Sequence, residues 1–246
     1  MIALAVPFSL SLLMAPAAAP RPVPVMRRQN LETLERLGFK VVPGLPTERS
    51  EAPTRLRPLP EIATRLYTLA SVFFWGGVPE KMVSEEALLS AMLKGKLMDQ
   101  ATTADLDVLD LPRSDALRRH SATVGWRLEN MWALAWILGF DPPPSLGGQI
   151  EADIHRKMMF GFLEFPKQSP GWLLKRAKPR SLEEVDRMED LFYCAHNAVR
   201  SAQLGRPTVP AGFDPVRDGG AIHERRHALT WALSPGVDWD EVDLGT

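Results

Sequence analysis

Residues 114–139 read SDALRRHSATVGWRLENMWALAWILG, and their spacing decides the fold class. Val124, Leu128, Met131, Ala135 and Leu138 recur at steps of four and three, the repeat of a single apolar helical face. From Met131 onward the residues are apolar nearly all the way round, which predicts a helix enclosed by other helices. The whole stretch is therefore predicted to be one long helix, capped by Ser114 and ended by Gly139, the residue type that tolerates a left-handed turn. Arg127, Glu129 and Asn130 stand where the apolar part begins and need partners if they are buried.

The rest of the chain carries the same signature. Asn30–Leu37 reads as a short helix with Leu31, Leu34 and Leu37 on one face and Gly38 at its end; Phe39–Val42 reads as a brief extended segment. Five prolines between Val42 and Pro60 predict an irregular wrapping segment. Glu61–Trp75 continues from Pro60 as a helix with Ile62, Leu66, Leu69 and Phe73 in register, and Gly76-Gly77 is read as its stop. Pro79–Leu93 reads as a helix whose inner face is Met82, Leu89 and Leu93, and Thr103 as the cap of a short helix carrying Leu106 and Leu109.

A Pro- and Gly-rich turn over 141–148 follows the central segment, then a helical stretch over 150–163 and a basic connection over 164–180. Ser181 with Glu184 forms a capping box ahead of Val185, Met188, Phe192, Ala195, Val199 and Ala202; Gly205 and Pro207 close that helix. Ala221–Leu233 is the last helix, with Ile222, Leu229 and Leu233 as its stripe, and an acidic tail carries Trp239. The predicted architecture is all-α: a single helical domain of seven or eight helices over 26–246, preceded by a Pro-rich N-terminal segment.

Composition narrows the function classes. The chain of 246 residues is 45% apolar and 24% charged, ordinary for a globular protein able to bury a sizeable core. A formal charge of −1 gives no electrostatic reason for nucleic acid or anionic membrane as a partner. Most of the seven tryptophans fall in predicted helices and are read as core, and the lone Cys194 as an inert buried thiol. Residues 1–25 stand apart. Their apolar run is too short to span a membrane, so no membrane insertion of the mature domain is expected. They read as a leader, with 1–19 signal-like, or as sequence upstream of a start at Met26. The missing basic residues before the run and the interruption at Pro7 point to a cytoplasmic protein.

His223-Glu224-Arg225-Arg226-His227 fits the HExxH pattern, in which two histidines one turn apart bind zinc and the glutamate activates water. Arg225 and Arg226 oppose this, because cations within a turn repel a dication and those positions are usually uncharged in zinc peptidases. Thr230 and Leu233 occupy the places of the extended motif's glycine and third histidine. Neither a metal nor a cofactor is therefore expected; His223 and His227 are the candidate ligands were a metal held, with Asp238 or Asp240 as a third.

Arg127, Glu129, His196, Arg200, Glu224, Arg225, His227 and Asp240 form the candidate polar constellation beside the core faces. Either these are internal ion pairs that fix helix register, or Glu129 or Glu224 works with His196 or His227 as acid and base in a cleft. Arg127, Glu129, His196, Glu224 and Arg225 are expected to form one inter-helical network. No GxSxG nucleophile context or phosphate loop accompanies them.

MRRQNLETLERLGF, GWRLENMWALAWILGF, LFYCAHNAVRSAQLGR, ERRHALTWAL and WDEVDLGT, in that order, resemble a bacterial family catalogued as domain of unknown function 4272. The resemblance spans Met26 to Thr246 and places Arg27, Arg28, Trp126, Trp231 and Trp239 with the polar residues above on matching positions. Its last helical pattern begins at Glu224, which leaves His223 outside and makes the HExxH match incidental. The family carries no activity to transfer. Two functions follow as expectations: a non-enzymatic interaction or accessory protein whose partner is another protein, or a hydrolase-like enzyme built on the Glu and His groups near Glu224.

Overall fold

In a computed structural model, which describes residues 24–46 and 54–246, every regular element is helical. The leader expected over 1–25 lies almost wholly outside the described residues. The α-helices are α1 (Val25–Arg36), α2 (Leu59–Gly77), α3 (Glu85–Gly95), α4 (Thr103–Leu109), α5 (Arg113–His120), α6 (Arg127–Ile137), α7 (Ala152–Arg156), α8 (Pro170–Leu174), α9 (Leu182–Gln203) and α10 (Arg217–Ala232). Among the described residues, no helix is long and apolar enough to cross a membrane.

Among the described residues there are ten α-helices rather than seven or eight, because the central stretch is divided and the expected connection over 164–180 contains α8. The helix expected over 114–139 breaks into α5 and α6, joined by a turn and a 3-10 turn over Val124–Trp126. The polar first half shows why: LRRHSAT offers almost no apolar stripe to bury, and Gly125 follows β-branched Thr123 and Val124. Pro112, not Ser114, is the N-cap of α5. The second half behaves as read, with every residue of α6 from Glu129 to Ile137 buried.

Each face of α6 has a neighbour. It packs against α2 on one side and α10 on the other; α9 lies beyond α10, and α1 covers α9. Around α2 gather α3, α4, α5 and α8. One continuous apolar core runs through these layers, including Trp75, Trp132, Trp136, Trp231 and Trp239, and Cys194 is buried within it.

Two further expectations change. Gly76 and Gly77 do not stop α2 but lie in its last turn, where a Cβ would meet Val108 and Val124 at 2.9 Å each, so they admit close packing. The helix expected from Pro79 starts at Glu85, capped by Ser84, and its inner face is Leu88, Ala91 and Met92. Met82, Leu89 and Leu93 point outward instead, 71%, 44% and 80% exposed. The four-residue step from Leu88 to Met92 was hidden beside the equally regular Leu89–Leu93 step one position on.

Capping boxes at Thr102/Asp105 and Ser181/Glu184 start α4 and α9. Arginines from elsewhere in the chain close several helix C-termini, where the last carbonyls have no intrahelical donor. Arg57 bonds the carbonyls of Trp231 (3.3 Å), Ser234 (2.6 Å) and Val237 (2.7 Å) at the end of α10 and stacks on Trp231. Arg113 bonds those of Phe74 and Val78 at the end of α2. After α6 the chain turns at Gly139, whose φ of +106° and 2.5 Å approach of a built Cβ to the Lys178 carbonyl oxygen leave no room for a side chain.

Candidate functional site

The polar residues singled out in the sequence lie on α6, α9 and α10, except Asp240 in the C-terminal turn, and the structure sorts them into three groups rather than one network. The first joins α6 to α10. Arg225 donates to Glu129 Oε2 from Nε at 2.9 Å and from Nη2 at 2.6 Å. Its remaining donors go to the carbonyls of Ser145 (2.6 Å), Gly147 (3.2 Å) and Gly148 (2.8 Å), so all five N–H groups are used. Glu129 Oε1 accepts from the Ile150 amide at 2.8 Å, and the guanidinium lies over the Trp132 ring. Burial pushes the Glu129 carboxyl up and the Arg225 guanidinium down, and their mutual contact opposes both shifts. Beside this clamp Asn130 donates to the Glu224 carbonyl and carboxylate at 2.7 and 2.9 Å, while its own Oδ1 is buried without a hydrogen-bond partner.

The second group joins α9 to α10. Arg226 donates to His196 Nδ1 at 2.7 Å and to the carbonyls of Leu244 (2.9 Å) and Gly245 (3.3 Å), and it lies over the Tyr193 ring. Glu189 sits 3.6 Å from Arg226 Nε and accepts from the Thr230 hydroxyl at 2.8 Å. Because arginine has no acceptor, His196 Nδ1 must carry a lone pair and the ring is neutral with its proton on Nε2. Burial, then the Arg226 charge, pushes His196 down to about 3. The His223 ring packs edge-on at 5.2 Å from that of His196.

The third group lies on the other flank of α6. Arg127 reaches Asp105 Oδ1 at 3.2 Å rather than any group on α9 or α10. Asp105 is fully buried, also holds Arg65, and accepts from the Thr102 amide; Arg65 stacks on Trp239 at 4.2 Å. Trp239 packs edge-on against Trp231 and His227. His227 donates from Nε2 to the Trp239 carbonyl at 3.0 Å, its Nδ1 is buried without a hydrogen-bond partner, and burial pushes it down to about 4. Arg200 joins none of these groups; on the exposed side of α9 it bonds Gln203 at 2.7 Å. Asp240 is exposed.

The expected five-member network thus holds only in the Glu129–Arg225 pair. Arg226, which in the sequence stands only as an obstacle to metal binding, belongs to these groups, as do Glu189, Tyr193, Thr230, Asp105 and Arg65, which no local motif singles out. A signal was present: Glu189, Tyr193 and His196 recur at steps of four and three on α9, and His223, Arg226 and Thr230 at three and four on α10. Their contacts run in opposite order, Glu189 to Thr230 and His196 to His223, as an antiparallel pair of helices requires.

Among the described residues no three His, Cys, Asp or Glu side chains are grouped to hold a metal ion. The two histidines of the HExxH match diverge in role, since the Nε2 of His227 donates to a carbonyl and has no lone pair for a cation. Over the Glu129–Arg225 clamp lies a cleft of about 380 Å³, lined by Trp132, Pro143, Gly147, Gln149, Glu151 and Ile154 among others. Glu151 is the one ionisable side chain on its wall; Arg225 itself is fully covered.

Fold and site together define an all-helical protein whose interior charges tie helix to helix and loop to helix. The chain belongs to the family described as Domain of unknown function (DUF4272), whose model matches residues 26–242. No curated protein and no solved structure matched the chain.

Proposed function

We propose that this is a non-enzymatic interaction or accessory protein, presenting the outer face of α3 to another protein. One observation carries the reading: Leu89 and Leu93 are exposed on one face of α3, while the charged residues Glu129 and Arg225, and Arg226 with His196, are buried in pairs. An exposed apolar cluster on a helix face marks a contact surface. The acid–base alternative draws less support. A general base works best with a pKa near the working pH, and burial puts His196 near 3 and His227 near 4. Glu129 faces a guanidinium with all its donors engaged, not a cleft wall.

A photo-crosslinking amino acid at Ser90, on the α3 face, tests this in cells that make the protein, with Arg206 on an exposed loop as control. Specific protein adducts at Ser90, absent at Arg206 and lost on Leu93→Glu, are expected. Equal labelling at both positions, or adducts indifferent to Leu93→Glu, would overturn the reading.

A further inference from the structure

We propose that the cleft over the Glu129–Arg225 clamp binds a free α-amino acid with an apolar side chain, its carboxylate on the amides of Gly148 and Gln149 and its ammonium at Glu151. The donors come from the way the loop is held. Arg225 draws the carbonyls of Gly147 and Gly148 to itself at 3.2 and 2.8 Å. The peptide bonds that carry them are trans, so the N–H groups of Gly148 and Gln149 point away from the guanidinium. In an extended chain successive carbonyls alternate in direction. Here the left-handed φ of +39° at Gly148 turns both to one side and leaves the two N–H groups together on the other, as in backbone concavities that cradle anions. Neither N–H donates to any described residue. Each belongs to a peptide whose carbonyl is bound by a cation, which polarises the peptide and strengthens its N–H as a donor. A built Cβ at Gly147 or Gly148 meets nothing within 4 Å, so this backbone is open to approach. The Ile150 amide, bonded to Glu129 Oε1 at 2.8 Å, fixes the far end of the loop, so the donors are set before a ligand arrives.

The rest of the wall chooses the ligand. Glu151 is its one ionisable side chain and follows Gln149 by two residues, a length of chain that spans at most about 7 Å. A bare anion on the amides would be repelled by that carboxylate; a molecule with an anion and a cation a few ångströms apart satisfies both groups. Asp153 is paired with Arg156 and Asp141 with Arg180, which leaves Glu151 to face the cation. Trp132, Pro143 and Ile154 complete the cleft with apolar surface, suited to an aliphatic side chain. Its volume of about 380 Å³ lies at the small end of ligand sites. Because α3 contributes nothing to this wall, this proposal and the α3 contact face stand or fall separately.

NMR titration of the isotope-labelled full chain with L-leucine tests the proposal. Saturable shifts of the Gly148 and Gln149 amide signals are expected, since each N–H gains a charged acceptor. N-acetyl-L-leucine, which lacks the ammonium, and L-leucinamide, which lacks the carboxylate, should each bind about fivefold more weakly or worse. Glycine should bind about tenfold more weakly for want of apolar contact. Glu151→Gln should weaken L-leucine about fivefold, the scale of one exposed ion pair, and should strengthen N-acetyl-L-leucine, whose carboxylate is no longer repelled. Opposite effects of one substitution on two ligands separate charge recognition from a damaged fold. No shift of these amides in high-millimolar L-leucine would overturn the proposal. So would L-leucine binding no tighter than either derivative or glycine, or binding indifferent to Glu151→Gln.

Discussion

Arg225 places both Nε and Nη2 within 2.9 Å of a single carboxylate oxygen of Glu129, and neither residue is more than 2% exposed. The pair locks α10 to α6 while the remaining guanidinium donors hold the loop between Ser145 and Gly148. Burying both charges is costly, and the geometry offsets that cost only because every guanidinium N–H and both carboxylate oxygens have partners.

Removing either member should therefore be severe. Glu129→Gln and Arg225→Met are each expected to lower unfolding stability by roughly 3–5 kcal/mol, because the survivor is left buried without its counter-charge. The double substitution should cost less than the two added together. Denaturant unfolding of the three variants checks this. Losses below about 1 kcal/mol would place the pair in solvent.

Acid should destabilise the fold before the carboxylates titrate. His196 and His227 have folded pKa values of about 3 and about 4, against about 6.5 in the unfolded chain. The unfolded state thus binds protons that the folded state refuses. Stability from these two groups is fully present above pH 6.5. It declines as pH falls, by about 1.4 kcal/mol per pH unit per histidine, until each folded pKa is reached. Urea midpoints at pH 7.5 and pH 5 should differ accordingly. The ring signals of both histidines in NMR spectra should remain those of neutral imidazole at pH 5; titration near 6.5 would contradict the burial described.

Gly139→Ala is expected to cost about 3 kcal/mol or more, since it combines a positive φ with overlap against the Lys178 backbone, which cannot move aside as a side chain could. Gly147→Ala is the matched control, because a Cβ there meets nothing within 4 Å. Thermal denaturation of the two variants separates strain from a general loss of glycine.

The purified protein should hold no stoichiometric zinc. Elemental analysis finding about one zinc per chain, lost on His223→Ala or His227→Ala, would mean that the His227–Trp239 bond opens to admit a metal and would revive the hydrolase reading.

Periodicity and caps are local, and they determined the all-α class, the apolar encirclement of α6, the capping box opening α9 and the turn at Gly139. Each depends on residues within a few positions of one another, whose side chains meet through the helix's own geometry. Family membership was legible as well, because the blocks that carry it are ordered words in the chain. Partner choice was not. Arg127 and Arg225 look alike in the sequence, yet one meets Asp105 on α4 and the other Glu129 on α6. Which cation reaches which carboxylate follows from the order in which α9, α10, α6 and α2 stack, and no local spacing encodes that order. The same limit explains α3, where two equally regular apolar steps lie one residue apart; only packing on α2 decided that Leu88 and Met92 turn inward and Leu89 and Leu93 face out.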